Sequence, residues 1–283
     1  MLYLRRRHRR ASAPVDDVLS HQSDGPMRTG FITDIHEDYD SLRAAFAVLE
    51  KHGCEQVICL GDIVGFTLPF QRNIHKRNAE ACVAMVREQC CVVVAGNHDL
   101  YAVRKIPEYA DGFHYGEDWY ELDYELRERC ARNRVWLYED SELPHFLSPS
   151  AMEYVASLRE YETLTVDGTT ILLSHFHYPN LSGSSIRFPR SARDVREHFL
   201  FMRDHDATIS FSGHGHPEGV VRGLWNSFDT HRFGERIDVR EGGWFVCPCV
   251  ANTSRANGVM VWDSRDRHLE VLALGSRKQF TRG

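Results

Sequence analysis

Short apolar runs that each end on a polar residue, separated by stretches of helical spacing, organise most of this chain. The runs are Phe31 to Thr33, Val57 to Leu60, Cys91 to Ala95, Thr170 to Ser174 and Ala207 to Ser212. Apolar runs without alternation predict strands buried on both faces, because a strand with one wet face alternates. Ser41 to Lys51, with Leu42, Ala45, Phe46 and Leu49 apolar, predicts a helix ending near Gly53, and Ala79 to Glu88 predicts a second. Residues 100–148 form a long excursion rich in Trp, Tyr and acidic residues, with a helix expected over Glu117 to Arg132. A helix from Ser150 to Leu158 and a hairpin turning on Asp167-Gly168 follow. Beyond His216, alternating strands near 219–224, 235–240, 243–247, 258–263 and 268–273 predict a second sheet. The expected class is α/β (α+β), two packed mixed β-sheets flanked by helices, with no internal repeat.

The polar endings carry the chemistry. The runs lead into Asp34 and His36, Gly61-Asp62, Gly96-Asn97-His98-Asp99, His175, and Gly213-His214-Gly215-His216. Taken singly, several are ordinary: Asp34-Ile35-His36 reads as a turn with a solvated His, and Gly61-Asp62 as a strand exit. Two His separated by a Gly can turn toward one small volume, which suits metal ligation and has little packing value. Ligands in open sheets collect at the carboxyl ends of strands, so each run is expected to deliver its polar residue to one edge of one sheet. The joint occurrence, in order and each behind its own strand, points to a metal centre.

The order Asp-x-His, Gly-Asp, Gly-Asn-His-Asp, His, Gly-His-x-His resembles that of the calcineurin-like metallophosphoesterase superfamily. Leu60-Gly61-Asp62-Ile63-Val64-Gly65, and Leu147-Ser148-Pro149 through Ser157-Leu158, are similar to its small bacterial, phosphodiesterase-like branch. The resemblance covers about residues 28–263 and implies a four-layer sandwich. It assigns Asp34, His36, Asp62 and His216 to one metal and Asp62, Asn97, His175 and His214 to the other, with Asp62 bridging. It places His98 beside the leaving-group oxygen rather than on a metal, with Asp99 or another carboxylate holding it as an imidazolium. Three departures stand out: Glu37-Asp38 where the family has Gly-Asn, Gly215 in place of Thr or Ser, and Cys247-Pro248-Cys249-Val250 in place of an Asn-Pro-Gly-Ser turn. The first two leave the ligands intact, whereas the third bears on the substrate pocket.

The expected chemistry follows from charge. A phosphate ester is anionic and repels hydroxide, and two divalent ions about 3.5–4 Å apart both neutralise it and supply the nucleophile. Two such cations less two carboxylates and a bridging hydroxide leave the centre about one unit positive. Carboxylates and imidazoles without thiolate favour Mn, Fe or Zn over Ca or a Cys-bound structural zinc. The expected function is hydrolysis of phosphate esters by direct attack of a metal-bound hydroxide, with small or nucleotide diesters as favoured substrates. The alternatives are a phosphomonoesterase or protein phosphatase and, from another class, a non-catalytic scaffold of the same fold. The presence of His98 and every ligand speaks against the scaffold.

Composition narrows the setting. The chain has 283 residues, 42% hydrophobic and 26% charged, which suits a soluble globular protein with one domain over residues 27–283. A formal net charge of −6 gives no general nucleic-acid footprint, and no apolar stretch approaches the roughly 20 residues of a membrane span. Eight Cys with no Cys-x-x-Cys pair suit reduced thiols in a cytoplasm. Residues 1–26, with Arg5-Arg6-Arg7-His8-Arg9-Arg10, lack an apolar period and read as a disordered or loosely attached basic arm, a solvated tail or a contact for nucleic acid or a partner. The 100–148 excursion is either a cap over the substrate or a peripheral helical pair. Arg187, Arg190 and Arg193, near His177, Tyr178 and Asn180, either grip a second phosphate or lie solvated at a helix start. Trp225 and Phe228 either stack a base or pack.

Overall fold

A computed structural model describes residues 27–68, 70–71, 74–276 and 278, so the basic arm expected over residues 1–26 lies outside the described residues. The elements in chain order are β1 (Arg28–Ile32), α1 (Tyr39–Lys51), β2 (Gln56–Cys59), α2 (Ala79–Gln89), β3 (Val92–Val93), α3 (Asn97–Ala102), α4 (Tyr124–Ala131), α5 (Pro149–Ser157), β4 (Tyr161–Val166), β5 (Thr169–Ser174), α6 (Arg196–Asp204), β6 (Ile209–Ser212), β7 (Val220–Gly223), β8 (Phe228–His231), β9 (Arg236–Asp238), β10 (Gly243–Val246), β11 (Gly258–Asp263) and β12 (His268–Ala273). They form two mixed sheets of six strands, ordered β3-β2-β1-β11-β12-β9 and β4-β5-β6-β10-β7-β8.

The unalternating runs are explained by burial on both faces. Phe31 of β1, Ile58 of β2 and Leu60 just beyond it face the core between the sheets, where Ile171, Leu173, Phe211, Phe245 and Trp262 meet them. Their neighbours Ile32 and Cys59 face outward onto Leu42, Ala45 and Leu49 of α1, Val83 and Val86 of α2, and Val155 of α5. On the other sheet Leu172 and Trp244 face outward, Leu172 onto Met202 of α6 and Trp244 onto Phe176 and Val195. The result is a four-layer helix–sheet–sheet–helix arrangement.

Two expectations change. The strands beyond His216 do not make a sheet of their own: β9, β11 and β12 complete the first sheet, while β7, β8 and β10 extend the second. β11 pairs antiparallel with β1, from Arg28 opposite Asp263 to Phe31 opposite Met260. Without it, β1 would leave a row of backbone donors and acceptors open. The strands that lead into the candidate ligands are therefore divided, with β1, β2 and β3 in one sheet and β5 and β6 in the other, so no single sheet edge carries all of these residues. Within each group the strands run parallel, and their carboxyl ends point the same way.

The helix expected over Glu117 to Arg132 shortens to α4, because Asp123 caps it by accepting from Leu126 N at 2.7 Å. Two elements went unforeseen, β8 and α3, and α6 was read only as a helix start near Arg193. Residues 103–148 build a small core of their own from Phe113, Trp119, Ala131 and Val135. Their far end pairs with the 184–186 segment, where Trp136 N donates to Ser184 O at 3.0 Å and Ile186 N to Arg134 O at 3.1 Å. Among the described residues no helix is long and apolar enough to cross a membrane, and the eight Cys are all free.

Candidate metal centre

Strain and close approach mark the loops after β1, β2 and β6. Asp34, His36, Asp62, His214 and His216 all have positive φ, between 44° and 62°. Such backbone costs about 1–3 kcal/mol per non-glycine residue and persists where the surroundings over-determine it. Glycine at two positions lets the loops meet. A Cβ on Gly96 would lie 2.1 Å from Asp62 Oδ1, and one on Gly213 would lie 1.9 Å from Thr33 Oγ1 and 2.7 Å from Asp34 Oδ2.

The two carboxylates are aimed by their hydrogen bonds. Asp34 Oδ2 accepts from Thr33 Oγ1 at 2.9 Å and from His214 N at 3.0 Å, which leaves Oδ1 for the interior. There Oδ1 lies 2.9 Å from His216 Nε2, 3.7 Å from His175 Nε2 and 3.8 Å from His36 Nε2. Asp62 Oδ1 accepts from His98 N at 2.9 Å, so Oδ2 turns inward, 3.0 Å from His175 Nε2 and 4.0 Å from His36 Nε2. Asp99, expected as a partner for His98, instead accepts from the amides of Asp62, Ile63, Val64 and Gly96 and so shapes the loop that presents Asp62.

The imidazoles are aimed in the same way. His36 Nδ1 donates to Gly65 O at 2.9 Å and His175 Nδ1 to Leu60 O at 2.7 Å, which leaves each Nε2 free to carry a lone pair. Asp34, His36 and His216 come together in one group, Asp62, His175 and His214 in another, and His36, Asp62 and His98 in a third. Donor atoms 3–4 Å apart suit a cation whose bonds to them are about 2.1 Å long. Asn97 Oδ1 and His214 Nε2 are buried without a hydrogen-bond partner among the described residues, the condition expected of atoms reserved for a cation. The donor set of carboxylate, imidazole and one amide oxygen thus fits divalent or transition metal ions, and the structure brings together all seven residues singled out in the sequence.

Electrostatics points the same way. Burial alone raises the pKa values of Asp34 and Asp62, but the facing imidazoles, His216 and His175 foremost, pull both well below the usual carboxylate range. Burial opposes charge on His175, yet Asp62 and Asp34 push its pKa up to about 9. For His36 and His214 burial prevails, and their values fall to about 4 and about 3. The two buried carboxylates are thus kept ionised, with His175 and His216 favouring the proton-bearing form beside them and His36 and His214 the neutral one, so the pocket gathers positive charge around the two carboxylates.

His98 stands apart from the ligand hydrogen-bond pattern. Its Nδ1 faces Glu142 Oε2 at 2.7 Å, and its ring stands edge-on to that of His36 at 4.9 Å. Burial opposes its charge, but Asp62 and Glu142 raise its pKa to about 9. Bound cations would act on it in the opposite sense. Sequence reasoning missed Glu142, Tyr138 and Phe188. Tyr138 Oη accepts from Asn97 Nδ2 at 2.8 Å, and Phe188 lies parallel to His214, with ring centroids 5.1 Å apart. The aromatic and acidic content of the excursion was the only signal for Tyr138 and Glu142.

The other candidates settle elsewhere. His177 and Asn180 are buried, His177 against Phe176 and Trp244, and Asn180 accepting from Ser185 N. Arg187 pairs at the surface with Asp111 at 3.4 Å. Phe228 packs on Trp244, while Trp225 lies against Phe199 and under the Arg196 guanidinium. Cys249 is buried with its thiol against His216, and Cys247 is buried between the sheets.

Comparison with known proteins agrees with this geometry. Residues 27–218 match the calcineurin-like phosphoesterase family. An uncharacterized protein of Methanocaldococcus jannaschii is 35% identical over 74 residues, a match that spans 26% of this chain and only 27% of that relative. The crystal structure of a metallophosphoesterase from Sphaerobacter thermophilus superposes with a TM-score of 0.60 at 20% identity, covering 89% of this chain and 90% of that one. A hypothetical protein from Pyrococcus horikoshii OT3 does so with a TM-score of 0.53 at 13% identity, covering 90% and 89%. At these identities the structures speak for the fold alone, while the family match spans most of the chain and all five loops that carry the candidate ligands. The chain belongs to the calcineurin-like phosphoesterase family, a family of metal-dependent hydrolases of phosphate esters.

Proposed function

We propose that this chain is a dinuclear phosphoesterase that hydrolyses phosphodiesters of small or nucleotide substrates by direct attack of water, without a covalent enzyme intermediate. The carrying observation is the convergence of two donor groups around Asp34 and Asp62, with a carboxylate-bound imidazole, His98, at their edge. Asp34, His36, Asp62 and His216 would hold one cation and Asp62, Asn97, His175 and His214 the other. When bound, the two ions neutralise the phosphate and lower the pKa of the attacking water.

The remaining work falls to the chain itself. Glu142 orients His98 through Nδ1 and leaves Nε2 to face the substrate, where it can donate to the departing oxygen. Residues 103–148 act as a partial cap, because they deliver Glu142 and Tyr138 to the edge of the centre. Phe188, 46% exposed and parallel to His214, offers a flat apolar face beside the centre, which suits a base or another planar group. The eight free Cys support a cytoplasmic setting.

Turnover of bis(p-nitrophenyl) phosphate against p-nitrophenyl phosphate, with Mn2+ added and with chelator, tests the assignment. The expected result is Mn-dependent hydrolysis of the diester in preference to the monoester. A preference for the monoester would replace the diester reading with a phosphomonoesterase. Activity that survives full chelation would remove the metal mechanism altogether.

A further inference from the structure

One turn of the 103–148 segment carries two side chains into the centre. The carbonyl of Tyr138 accepts from Ser141 N at 3.0 Å and Glu142 N at 2.8 Å. This turn directs Tyr138 Oη at Asn97 and Glu142 at His98, two residues adjacent in sequence. It is anchored on both sides: Leu68 N donates to Ser141 O at 3.0 Å, Leu143 N to Phe66 O at 2.9 Å, and Trp136 N to Ser184 O at 3.0 Å. The Tyr138 ring is clasped between those of His98 and Tyr101, with centroids 4.7 and 4.8 Å away.

An Asn side chain can ligate a cation through its oxygen alone, because the amide nitrogen is a donor with no free lone pair. The two ends of the carboxamide are nearly equal in size, so packing does not choose between them; hydrogen bonding does. Here Nδ2 donates to Tyr138 Oη at 2.8 Å, which turns Oδ1 the opposite way. Oδ1 is buried without a hydrogen-bond partner among the described residues, on the side of His214, as the close approach of both to Gly183 shows. Holding Nδ2 in this way, the phenol steadies the carboxamide in the orientation in which Oδ1 can serve as a ligand; a phenol can also donate to an amide oxygen, so it is the cation's demand for Oδ1 that excludes the flipped amide.

We propose that Tyr138 is a positioning residue for the cation site of Asp62, Asn97, His175 and His214: its hydroxyl fixes the Asn97 carboxamide, so that the 103–148 segment sets the occupancy of that site. The proposal rests on Asn97 being a ligand. The hydroxyl contacts Asn97, so its effect falls on cation affinity first and on turnover only where the site is unfilled. Hydrogen-bonding partners of metal ligands typically contribute about 10–100-fold in affinity.

The test is calorimetric titration of the chelator-stripped full chain with Mn2+, comparing wild type, Tyr138→Phe, Asn97→Ala and the double variant, with thermal midpoints measured in parallel. Tyr138→Phe keeps the ring and its packing. The expected result is one of two sites weakened about tenfold or more in Tyr138→Phe, the other site unchanged, and a thermal midpoint of the metal-free protein close to wild type. Asn97→Ala should weaken the same site at least as much, and adding Tyr138→Phe to it should change nothing further. An unaltered Tyr138→Phe beside a weakened Asn97→Ala overturns the role of Tyr138 alone. So does an equal additional loss in the double variant, which would mean general loosening. Two ions at full affinity in Asn97→Ala overturn the proposed ligand set and the role of Tyr138 with it.

Discussion

His98 holds its imidazole between Glu142 and the candidate ligands His36 and Asp62, so the proposed contribution to turnover can be tested separately from cation binding. His98→Asn should retain both cations, checked by elemental analysis, yet lose roughly two to four orders of magnitude in kcat. If the group acts as a general acid, the loss should be smaller on a nitrophenyl ester, whose leaving group departs without a proton, than on an alkyl ester. Equal losses on both would assign it to electrostatic stabilisation, and an unchanged kcat would remove it from the mechanism. Glu142→Gln should bring the alkaline limb of the pH–rate profile to lower pH, since Glu142 helps hold His98 in its charged form. An unmoved limb would deny that coupling. The pairing of these two residues shows where legibility ends. Asn97-His98 could be singled out because a candidate ligand and a candidate acid are adjacent behind a strand, whereas Glu142 is 44 positions away in a segment of no motif.

At the scale of elements, the departure Glu37-Asp38 has a structural account. Asp38 caps α1, accepting from Ser41 N at 3.1 Å, and also accepts from Asn252 N at 3.0 Å. Glu37 is fully buried, accepts from Gly65 N and pairs with Arg77, which reaches on to the carbonyls of Leu143 and Pro144 between the rings of Phe66 and Phe146. The pair thus ties the first ligand loop to the turn that carries Glu142. Arg77→Ala leaves a buried carboxylate without its partner and should cost about 3–5 kcal/mol in urea unfolding. Removing the exposed Lys76–Asp40 pair should cost at most about 1 kcal/mol. Similar losses for the two would contradict this reading.

A second tie, Glu160 at the start of β4, accepts from the backbone N–H of Glu108 and Tyr109. Burial raises its pKa to about 7 against those hydrogen bonds. The protonated form is favoured by folding, so this stabilisation is complete below the ordinary carboxylate value near 4.5 and is lost as pH rises through about 7. Relative to Glu160→Gln, wild-type stability should fall by on the order of 3 kcal/mol across that window. A difference that does not vary with pH between 4.5 and 8 would refute it.

At the scale of the molecule, the centre joins two sheets. Asp34, Asp62 and Asn97 follow strands of the first and His175, His214 and His216 strands of the second, so a bound cation links the carboxyl edges of both. It also offsets the repulsion that Asp62 exerts on Asp34 and the cost of burying both carboxylates as anions. A ligand at about 100 times its Kd stabilises the native state by roughly 2.7 kcal/mol. For a chain of this size that corresponds to a rise in thermal midpoint of about 5–10 °C on adding Mn2+, reversed by chelator. No shift in calorimetric scans would mean that the two sheets do not meet through a cation.

The amino-acid sequence by itself determined the strands of unalternating apolar residues, the helices with clear spacing such as α1, and which polar residues end those strands, the seven candidate ligands and His98 among them, because each is encoded within a few neighbouring positions. Periodicity records which faces are buried, and a Gly-Asn-His or Gly-His-Gly-His segment behind a strand records where the backbone must turn sharply. Only the tertiary structure decided which sheet each strand joined, since β11 reaches β1 through a pairing that no local pattern carries. It alone decided that Asp99 shapes a loop while Glu142 holds His98, and that Tyr138 faces Asn97. Those choices depend on residues distant in the chain coming within hydrogen-bond reach, where burial and geometry, not sequence spacing, select the partner.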